Sequence, residues 1–494
     1  MADKKTVLKR TLISLIPVIV LVVLLAFDIS IFGSDSILGA SQVALLFAAG
    51  VCVCLSAWLF KTPWKAFEEA IKSNVGEVTS AIVILFLIGA ISGTWTMSGV
   101  IPTLICYGVK IISPRFFLLT ACVICALVSV MIGSSWTTIA TVGVALLGIG
   151  KAEGFSEGLI AGAIISGAYF GDKISPLSDT TVMASSISGT PLFQHIRYML
   201  ITTVPSITIT LIIFTVLGLT HGAGDPGQIG LYEETLRARF HITPWVLLVP
   251  LATGVMIARK MPALPVLGLS VLLAAVAAVF FQPDIIASIG RNAAVAHEVS
   301  HDLTRGQSLL AGTIETIYNT VSVDTGNAQV NELVTSRGMT GMLNTVYLII
   351  CAMCFGACMR ASGMIAHLAG ALTPLTRRRT GLVATTVGTG VVLNGLVCDQ
   401  YLSIILTSSA FKDIFEKEGY EHRLLSSSIE DSSTVTSPLF PWSSCGMTQA
   451  TILSTPTLVY LPYCFFNLIS PLMSITVAAI GYKIFRRNTQ TDTH

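Results

Sequence analysis

The chain has 494 residues, of which 53% are apolar and only 11% are charged. Soluble globular proteins carry about 25% charged residues, so this composition excludes an ordinary soluble domain and indicates a polytopic helical membrane protein. The net charge of +2 comes without a basic stripe containing aromatic residues, so no nucleic-acid partner is expected.

The first predicted helix follows a basic N-terminus, residues 1–10, which contains Lys4, Lys5, Lys9 and Arg10. The apolar run after it lacks a small-x-small cleavage site, which favours a retained helix over a signal peptide. Further basic residues follow the second and the last span: Lys61, Lys65, Lys72, Lys483, Arg486 and Arg487. The positive-inside rule therefore places the N-terminus in the cytoplasm.

The candidate spans, read from apolar runs about 20 residues long, fall into two halves. Those of the first half are 12–32, 38–60, 78–99, 116–150 (broken), 156–170, 198–219, 245–258 and 263–281. Those of the second half are 309–330, 340–360, 363–376, 381–410 (broken), 428–445 and 457–482. We expect an all-α polytopic membrane protein with about 10–12 transmembrane helices, some of them broken or re-entrant.

Five regions follow from this pattern. They are a cytoplasmic N-terminus (1–10), a first transmembrane half (11–281), a polar connector (282–307), a second transmembrane half (308–485) and a cytoplasmic tail (486–494). Each half contains one strongly polar motif, at 171–181 and at 430–442.

The first motif reads Gly-Asp-Lys-Ile-Ser-Pro-Leu-Ser-Asp-Thr-Thr. Ionisable groups at membrane depth cost about 2.5–3.5 kcal/mol each on insertion scales and often mark a transport or proton pathway. Pro176 breaks the helix, which frees backbone carbonyls and amides beside the carboxylates. The motif is therefore expected to hold an ion near the middle of the bilayer.

The second half repeats this arrangement. Residues 394–401 correspond to 133–138, and residues 430–439 correspond to the motif 171–181. Both late motifs have an acidic start, a body rich in Ser and Thr, and a Ser-Pro-Leu sequence. Polar interruptions at corresponding places in two halves point to the binding site of a transporter and predict two inverted repeats.

Sodium is a hard cation that prefers oxygen ligands, and both motifs supply them. The carboxylates predicted to bind Na⁺ are Asp172, Asp179, Asp399 and Asp431, with Glu430 beside them. The other residues predicted for the transport site are Ser134, Ser135, Ser175, Thr180, Asn394, Ser433 and Thr434, with helix breaks at Pro176 and Pro438. For any single hydroxyl, a bond to a carbonyl of its own helix is the alternative role.

A carboxylate can hold a proton or a sodium ion but not both, and this competition is sufficient for exchange. Lys173 is a supporting charge that either neutralises a neighbouring Asp or forms a plain ion pair that lowers the cost of burial. Asn394 has an interhelical hydrogen bond as its alternative role. No resident cofactor is expected, because Na⁺ and H⁺ are the transported ions.

Two other classes of protein compete with a transporter. The sequence His-Glu-Val-Ser-His at 297–301 matches the zinc-protease pattern. It lies in the polar connector without an evident third ligand, so a solvated loop or interfacial helix is favoured. A channel is disfavoured because ring-like pore signatures are missing and the repeats suit alternating access.

The motifs at 133–138, 171–181 and 430–442 resemble those of the NhaC family of sodium/proton antiporters, and the resemblance extends from about residue 10 to 485. The segments 324–327 and 358–363 also resemble the second half of that family. The family includes sodium-coupled malate/lactate exchangers and belongs to a superfamily built from inverted repeats.

The resemblance implies a non-enzymatic secondary transporter of the bacterial plasma membrane that extrudes Na⁺ with the proton gradient. The alternative is a Na⁺- and H⁺-coupled exchanger of organic acids, whose carboxylate substrate would need a positive partner such as Lys173. Besides membrane lipid, a second copy of the chain is an expected partner. Gly89-xxx-Gly93 and Gly158-xxx-Gly162 allow close helix contacts either within the chain or in a homodimer.

Overall fold

The computed structural model describes residues 4–32, 39–220, 226–259, 261–298, 303–372 and 379–484. The expected cytoplasmic tail, 486–494, lies outside them. Within these ranges no strand is formed, and Val321 and Ser336 form an isolated bridge. By length and composition, seven of the described helices can cross a membrane, or up to nine if each of two bent pairs forms one span. This count is lower than the expected 10–12 because it leaves out the broken segments, whose helices are too short to cross alone.

The helices in chain order are as follows. The first are α1 (Lys4–Phe32), α2 (Ala40–Leu59), α3 (Trp64–Glu77), α4 (Thr79–Met97), α5 (Val100–Ile111), α6 (Phe117–Ile132), α7 (Ser135–Thr138) and α8 (Val144–Ala152). Next are α9 (Glu157–Ile174), α10 (Asp179–Ser188), α11 (Leu192–Thr220), α12 (Pro226–Arg239), α13 (Leu248–Ala258), α14 (Ala263–Phe281), α15 (Pro283–Ala296), α16 (Arg305–Tyr318) and α17 (Ala328–Leu333). The last are α18 (Leu343–Ala361), α19 (Met364–Leu372), α20 (Arg379–Val397), α21 (Gln400–Lys417), α22 (His422–Ile429), α23 (Ser444–Ile452), α24 (Thr457–Tyr460) and α25 (Phe465–Ile480).

The long outer helices are apolar on all sides. On α1, Val23 and Phe27 are each 59% exposed, and on α14 Phe280 is 76% exposed. A helix that exposes such residues without a polar face is typical of a membrane span. These side chains therefore mark the surface that lipid covers.

The two small-residue motifs are used for helix contacts inside the chain. Gly89 packs against the backbone of Gly338, and Gly93 packs against the carbonyl of Thr316. In the same way, Gly158 packs against Val459. The motifs thus give no separate support for a homodimer.

The predicted polar connector contains most of a helical hairpin. Gly290 of α15 and Gly312 of α16 pack so closely that no side chain would fit between the two helices. Helix α15 ends at Ala296, and Glu298 has a left-handed backbone with φ 51°. Two histidines of a zinc-protease helix must lie on one helix face, so the end of α15 before His297 disfavours that reading. His301 lies outside the described residues.

Helices α6, α7 and α8 form a hairpin beside α9. In α9, Gly167 packs against the carbonyl of Cys122 in α6, and Gly171, one turn later, packs against that of Ala126, so α6 and α9 run in the same direction. Gly150, near the end of α8, packs against Phe117 at the start of α6, so α8 runs back. The tip of this first hairpin is at Gly133.

Helices α20 and α21 form a second hairpin. The hydroxyl of Ser403 in α21 donates to the carbonyl of Gly390 in α20 at 3.0 Å. Its tip is at Cys398. This residue has a left-handed backbone with φ 59°, as Gly133 does at the first tip with φ 72°. The chain therefore reverses in the same way at both tips.

The turns that follow the two hairpins also match. After α8 the amide of Phe155 donates to the carbonyl of Gly150, and after α21 the amide of Tyr420 donates to the carbonyl of Phe415. Both bonds span five residues across a left-handed glycine, which is the Schellman form of helix end. A left-handed tip and a Schellman turn thus follow in the same order in both hairpins.

Contacts between the halves fix where each hairpin lies. The start of α9, which follows the base of the first hairpin, packs through Gly158 against Val459 of α24. Near the base of the second hairpin, Lys412 of α21 donates to the carbonyl of Ile187 at the end of α10, at 3.1 Å. The two bases therefore lie at the opposite ends of the α9–α10 pair, and the tips meet between them.

Candidate functional site

The tip of the first hairpin depends on a glycine and a capping serine. A side chain at Gly133 would stand 2.6 Å from the carbonyl carbon of Leu177, so only glycine fits there. Ser134 caps α7, and its Oγ accepts the amide of Thr137 at 3.3 Å. The tip is thus closely packed against the break between α9 and α10.

The Asp172 carboxylate lies at the N-terminus of α7. It is only 6% exposed, and its Oδ2 accepts from the backbone N of Ser135 at 3.1 Å and from the Ser135 Oγ at 2.7 Å. Helix α7 continues through a π-helical turn, Ile139–Gly143, into α8. The amides and the dipole of this helix stabilise negative charge on Asp172, so it can remain a ligand for a cation in a place shielded from water.

The break between α9 and α10 is held by two serines. The Ser175 hydroxyl donates to the carbonyl of Val130 at 2.8 Å, which ties the break to α6. Ser178 caps α10 by accepting the amide of Thr181 at 3.5 Å, and it also lies within hydrogen-bonding reach of Asp172. Pro176 between them prevents the helix from continuing.

The same break is open on one side. Pro176, Leu177 and Asp179 are exposed, while Asp172 behind them is buried. A carboxylate facing lipid at membrane depth is costly. We infer that the exposed side of this break borders an aqueous opening, with Asp179 at its rim.

The tip of the second hairpin carries Asp399. This residue caps α21, with Oδ1 accepting the amide of Leu402 at 3.0 Å. Its Oδ2 accepts from the Ser444 hydroxyl at 3.3 Å, and the Ser444 amide donates to the carbonyl of Cys398 at 2.8 Å. The second tip therefore meets the start of α23, as the first tip meets the break before α10.

Tyr401 connects the two tips. Its phenol lies within electrostatic range of Asp172, Asp179 and Asp399. Asp399 comes from the other half of the chain, so the tertiary structure brings carboxylates of both halves within electrostatic range of this residue.

Beneath the tips lies a group of oxygen atoms centred on Thr181. Its Oγ1 is 3.4 Å from the carbonyl oxygen of Asp172, 3.0 Å from that of Lys173 and 3.3 Å from Oε1 of Glu430. Glu430 is fully buried, and its Oε2 accepts from the Thr434 hydroxyl at 2.8 Å. One hydroxyl proton cannot satisfy three acceptors, so this group suits a cation.

Lys173 and Asp431 form an ion pair with both side chains fully buried. The Lys173 Nζ also donates to Ser470 at 3.1 Å, and Ser470 donates to Oδ1 of Asp431 at 2.6 Å. Oδ2 of Asp431 accepts from Thr202 at 3.0 Å and from Ser427 at 3.4 Å. Of the two roles predicted for Lys173, the structure shows the ion pair, and its partner comes from the other half of the chain.

Asn394 and Ser433 hold the second break together. Residues Glu430–Thr434 form a π-helical turn, and the Asn394 amide donates to the carbonyl of Ser433 at 2.7 Å and to Thr436 Oγ1 at 3.0 Å. The Ser433 and Ser403 hydroxyl oxygens lie 3.0 Å apart, within hydrogen-bonding distance. The interhelical hydrogen bond expected as the alternative role of Asn394 is therefore present.

Pro438 lies in the short 3₁₀ turn Ser437–Leu439, which ends this helix. Its carbonyl accepts from the Tyr460 hydroxyl at 2.7 Å. Asn467 of α25 stabilises the same turn by donating to the carbonyl of Val435 at 2.7 Å. The freed carbonyls are thus satisfied by side chains of the last helices.

The predicted residues divide into three groups by position. Around the tips lie Ser134, Ser135, Asp172, Ser175, Asp179 and Asp399; in the deeper cluster lie Lys173, Thr180, Glu430, Asp431 and Thr434; bracing the second break are Asn394 and Ser433. Thr180 lies 3.0 Å from Ser178 and within reach of Glu430. Sodium binding by these residues stays a prediction.

The four carboxylates predicted to share Na⁺ do not converge on one point. In the described part of the chain, no three His, Cys, Asp or Glu side chains come together as metal ligands. Asp172 and Asp399 face helix N-termini, Asp179 is exposed, and Asp431 is paired with Lys173. A carboxylate already neutralised by an ammonium is a poor candidate for holding a sodium ion in this conformation.

Sequence reasoning missed five residues of the site: Thr181, Thr202, Tyr401, Asn467 and Ser470. Thr181 ends the predicted motif, so its position was a usable signal. Thr202 and Ser470 lie inside long apolar helices, where a single hydroxyl looks the same whether it bonds within its own helix or reaches a buried carboxylate.

The profile of the Na⁺/H⁺ antiporter family matches residues 5–183 and 167–482. The Na⁺/H⁺ antiporter NhaC of Bacillus subtilis is 33% identical over 88% of this chain and 91% of its own length. The malate-2H⁺/Na⁺-lactate antiporter of the same organism is 33% identical over 87% of each chain. The arginine/ornithine antiporter ArcD of Halobacterium salinarum is 30% identical over 97% of this chain and 93% of its own length. These relatives are transporters rather than enzymes.

Proposed function

Because this chain belongs to the Na⁺/H⁺ antiporter family, we propose that it is a secondary transporter that exchanges Na⁺ for H⁺ across a bacterial membrane. We locate the transport site at the Asp172 carboxylate, because it is buried at the N-terminus of α7 beside two helix breaks. In the proposed cycle a sodium ion or a proton occupies this carboxylate, and each displaces the other. No resident cofactor takes part.

The oxygens around Thr181 support a sodium site next to Asp172. Carbonyl, hydroxyl and carboxylate oxygens are the ligands that a hard cation prefers. The carbonyls of Asp172 and Lys173 lie in the last turn of α9, which ends at Ile174, just before Pro176. The Asp172 carbonyl also accepts the amide of Ser175 at 3.2 Å, and its second lone pair remains for a cation. Glu430 supplies a second carboxylate oxygen from the other half of the chain.

Alternating access is supported by the arrangement of the two hairpins. Their bases lie at opposite ends of the α9–α10 pair, and their tips meet at the site. This arrangement is what two repeats of inverted topology would give, and such repeats open a central site first to one side and then to the other.

The N-terminus is proposed to lie in the cytoplasm. Arg10, near the start of α1, lies 6.0 Å from the ring of Phe60, which follows α2. The basic residues of both segments are therefore at the same end of the molecule, which is the pattern of the positive-inside rule.

Transport in reconstituted vesicles tests the proposal. A sodium gradient imposed across proteoliposomes is expected to drive protons in the opposite direction, measured with a pH-sensitive dye. Malate, lactate, arginine and ornithine are added separately in parallel samples. Sodium-driven proton movement that requires one of these acids would favour the exchanger reading, and no proton movement under any condition would contradict both.

The organic-acid alternative has less support at the site itself. A substrate carboxylate would need a positive partner, and Lys173, the candidate, is engaged by Asp431 and Ser470. Because two relatives are named as malate/lactate and arginine/ornithine antiporters, these four compounds are included in the test.

Thr181→Val is expected to raise the KM for Na⁺ by about 5–10-fold, because one neutral hydrogen-bonding ligand contributes about 1–1.5 kcal/mol. The shape of the side chain is kept, and Thr181→Ser, which keeps the hydroxyl, is the matched control. Sodium-dependent proton flux measured over a range of Na⁺ concentrations gives the KM. An unchanged KM in Thr181→Val would remove this hydroxyl from the sodium site.

A further inference from the structure

Glu153 is a buried carboxyl group that the transport site does not use. It follows α8 at the base of the first hairpin, and the residue is fully buried. Within the described ranges, neither of its two carboxyl oxygens has a hydrogen-bond partner. A buried polar group without a partner is rare enough to need an explanation, and a charge on this carboxyl group is strongly disfavoured.

Apolar contacts close the base around Glu153, while water lies close by. The ring of Phe155 stacks on that of Phe117, at the start of α6, with 5.3 Å between the ring centroids. Gly154 and Ser156, on either side of Phe155, are exposed. The carboxyl group of Glu153 can therefore reach water when this turn opens by a small amount.

The charged groups around the base are paired with one another rather than with this carboxyl group. Lys151 Nζ, in the last turn of α8, lies 2.6 Å from Glu157 Oε1 of α9. Helices α5 and α12 also pack against α8, and Glu233 Oε1 of α12 lies 2.7 Å from both Lys110 Nζ of α5 and Arg237 Nε. The other titratable side chains at this end of the packed elements are Cys106, Tyr107, Arg115, Tyr232, Glu234 and Arg239.

The second hairpin carries the same residue type at the same place without burying it. Glu418 follows α21 as Glu153 follows α8, and each precedes a left-handed glycine, Gly419 with φ 73° or Gly154 with φ 84°. Glu418 is exposed. The turn itself therefore does not require a buried carboxyl group.

We propose that Glu153 is a proton-binding regulatory site that keeps the base of the first hairpin closed while the proton is bound. When the proton leaves, the charge has to reach water, and the dipole of α8 also repels a negative charge at its C-terminus. The base then opens, and the hairpin whose Ser135 binds Asp172 gains freedom to move. The opening stands by itself, whereas its effect on transport rests on the proposed Na⁺/H⁺ exchange.

The direction of the pH effect follows from the burial of Glu153, which lies between two candidate spans. Burial raises the pKa of its carboxyl group from 4.5 to about 8. In the open base the group meets water, and its pKa returns to the usual range. Between these two pKa values the closed base holds the proton and the open base does not, so each unit of rising pH favours the open base by up to about tenfold. Above the higher value both forms have lost the proton, and the ratio becomes constant.

Hydrogen exchange of the backbone amides of Glu153, Gly154 and Phe155 tests the opening directly. Each of these amides donates to a carbonyl of α8 in the closed base. Exchange rates are measured by mass spectrometry and divided by those of an unstructured peptide of the same sequence at the same pH. From pH 6 to pH 8 this ratio is expected to rise by up to about tenfold per unit in the unaltered protein, and to stay flat in Glu153→Gln, whose amide has no proton to lose.

Exchange of ²²Na⁺ for unlabelled Na⁺ tests the effect on transport. It is measured in proteoliposomes at saturating Na⁺, with equal pH on both sides, so that protons do not compete for the sodium site. At about pH 8 Glu153→Gln is expected to lower the exchange by at least about tenfold, because its base stays closed. At about pH 6 the base of the unaltered protein is closed as well, and the two proteins are expected to agree.

Two further variants complete the experiment. Glu153→Met removes both polar atoms, is expected to give the same flat hydrogen-exchange ratio, and decides the question if Glu153→Gln does not fold. Glu418→Gln is the matched control at the exposed position and is expected to change neither measurement.

Three results would overturn the proposal: a hydrogen-exchange ratio that does not rise with pH in the unaltered protein, a rise that persists in Glu153→Gln, or ²²Na⁺ exchange by Glu153→Gln that matches the unaltered protein at every pH. Opening of the base with rising pH in a protein that moves neither Na⁺ nor H⁺ would instead refute the proposed exchange.

Discussion

Asp172→Asn is expected to reduce sodium-driven proton flux to the background of protein-free vesicles. The substituted amide oxygen still accepts from the amide and the hydroxyl of Ser135, so the tip of the first hairpin keeps its structure. The amide can neither carry the negative charge that binds Na⁺ nor be protonated in exchange for it. Both halves of the transport reaction therefore stop with a single atom changed.

The matched control for this variant is Asp413→Asn, an exposed carboxylate on α21. It removes the same charge from the chain and is expected to leave the flux unchanged. Fluxes of Na⁺ and H⁺ are measured separately, since both should be lost in Asp172→Asn. Retention of more than about half of either flux would show that Asp172 is not the group for which the ions compete.

Lys173→Met is expected to lower the free energy of unfolding by about 3–5 kcal/mol, because it leaves the Asp431 charge buried without its partner. Both side chains are fully buried, so water cannot screen the remaining carboxylate. Unfolding by heat in detergent micelles, followed by the accessibility of buried cysteines, measures the loss.

The double variant Lys173→Met with Asp431→Asn separates charge from packing. The Asn amide oxygen can still accept from Thr202 and Ser470, and no charge remains buried, so most of the lost stability is expected to return while transport does not. Lys72→Met is the matched control at an exposed pair, since Lys72 lies 2.6 Å from Glu68 with 72% and 47% of the two side chains exposed. Its stability is expected to stay close to that of the unaltered protein, because water screens an exposed pair. A double variant as unstable as Lys173→Met would show that the ion pair is not the cause.

The buried pair also constrains the transport cycle. Lys173 follows Asp172 directly, and Asp431 follows Glu430, so the pair joins the two ion-binding segments at adjacent residues. A movement of one half against the other has to break this pair or carry both partners along. Neutralising only one partner would leave the other as an isolated buried charge, so moving both partners together is the less costly course.

The sequence indicated the membrane class and the places where helices break. Charge content, apolar run length and the two Ser-Pro-Leu motifs are local properties, and a proline in an apolar run interrupts a helix whatever surrounds it. In the structure, α9 ends at Ile174, just before Pro176, and Pro438 lies in a 3₁₀ turn. The number of spans was harder to predict, since an apolar helix of half length looks in sequence like part of a full span.

The amino-acid sequence by itself therefore determined that the protein lies in a membrane, the chemistry of its polar residues and the positions of its helix breaks. Only the tertiary structure decided which carboxylate is paired, which is exposed and which lies against helix amides. Lys173 has Asp172 beside it in the chain but binds Asp431, 258 residues away. The physical reason is that a buried charge is stabilised by whatever group the folded helices bring within a few ångströms, and that distance is not encoded in the spacing along the chain.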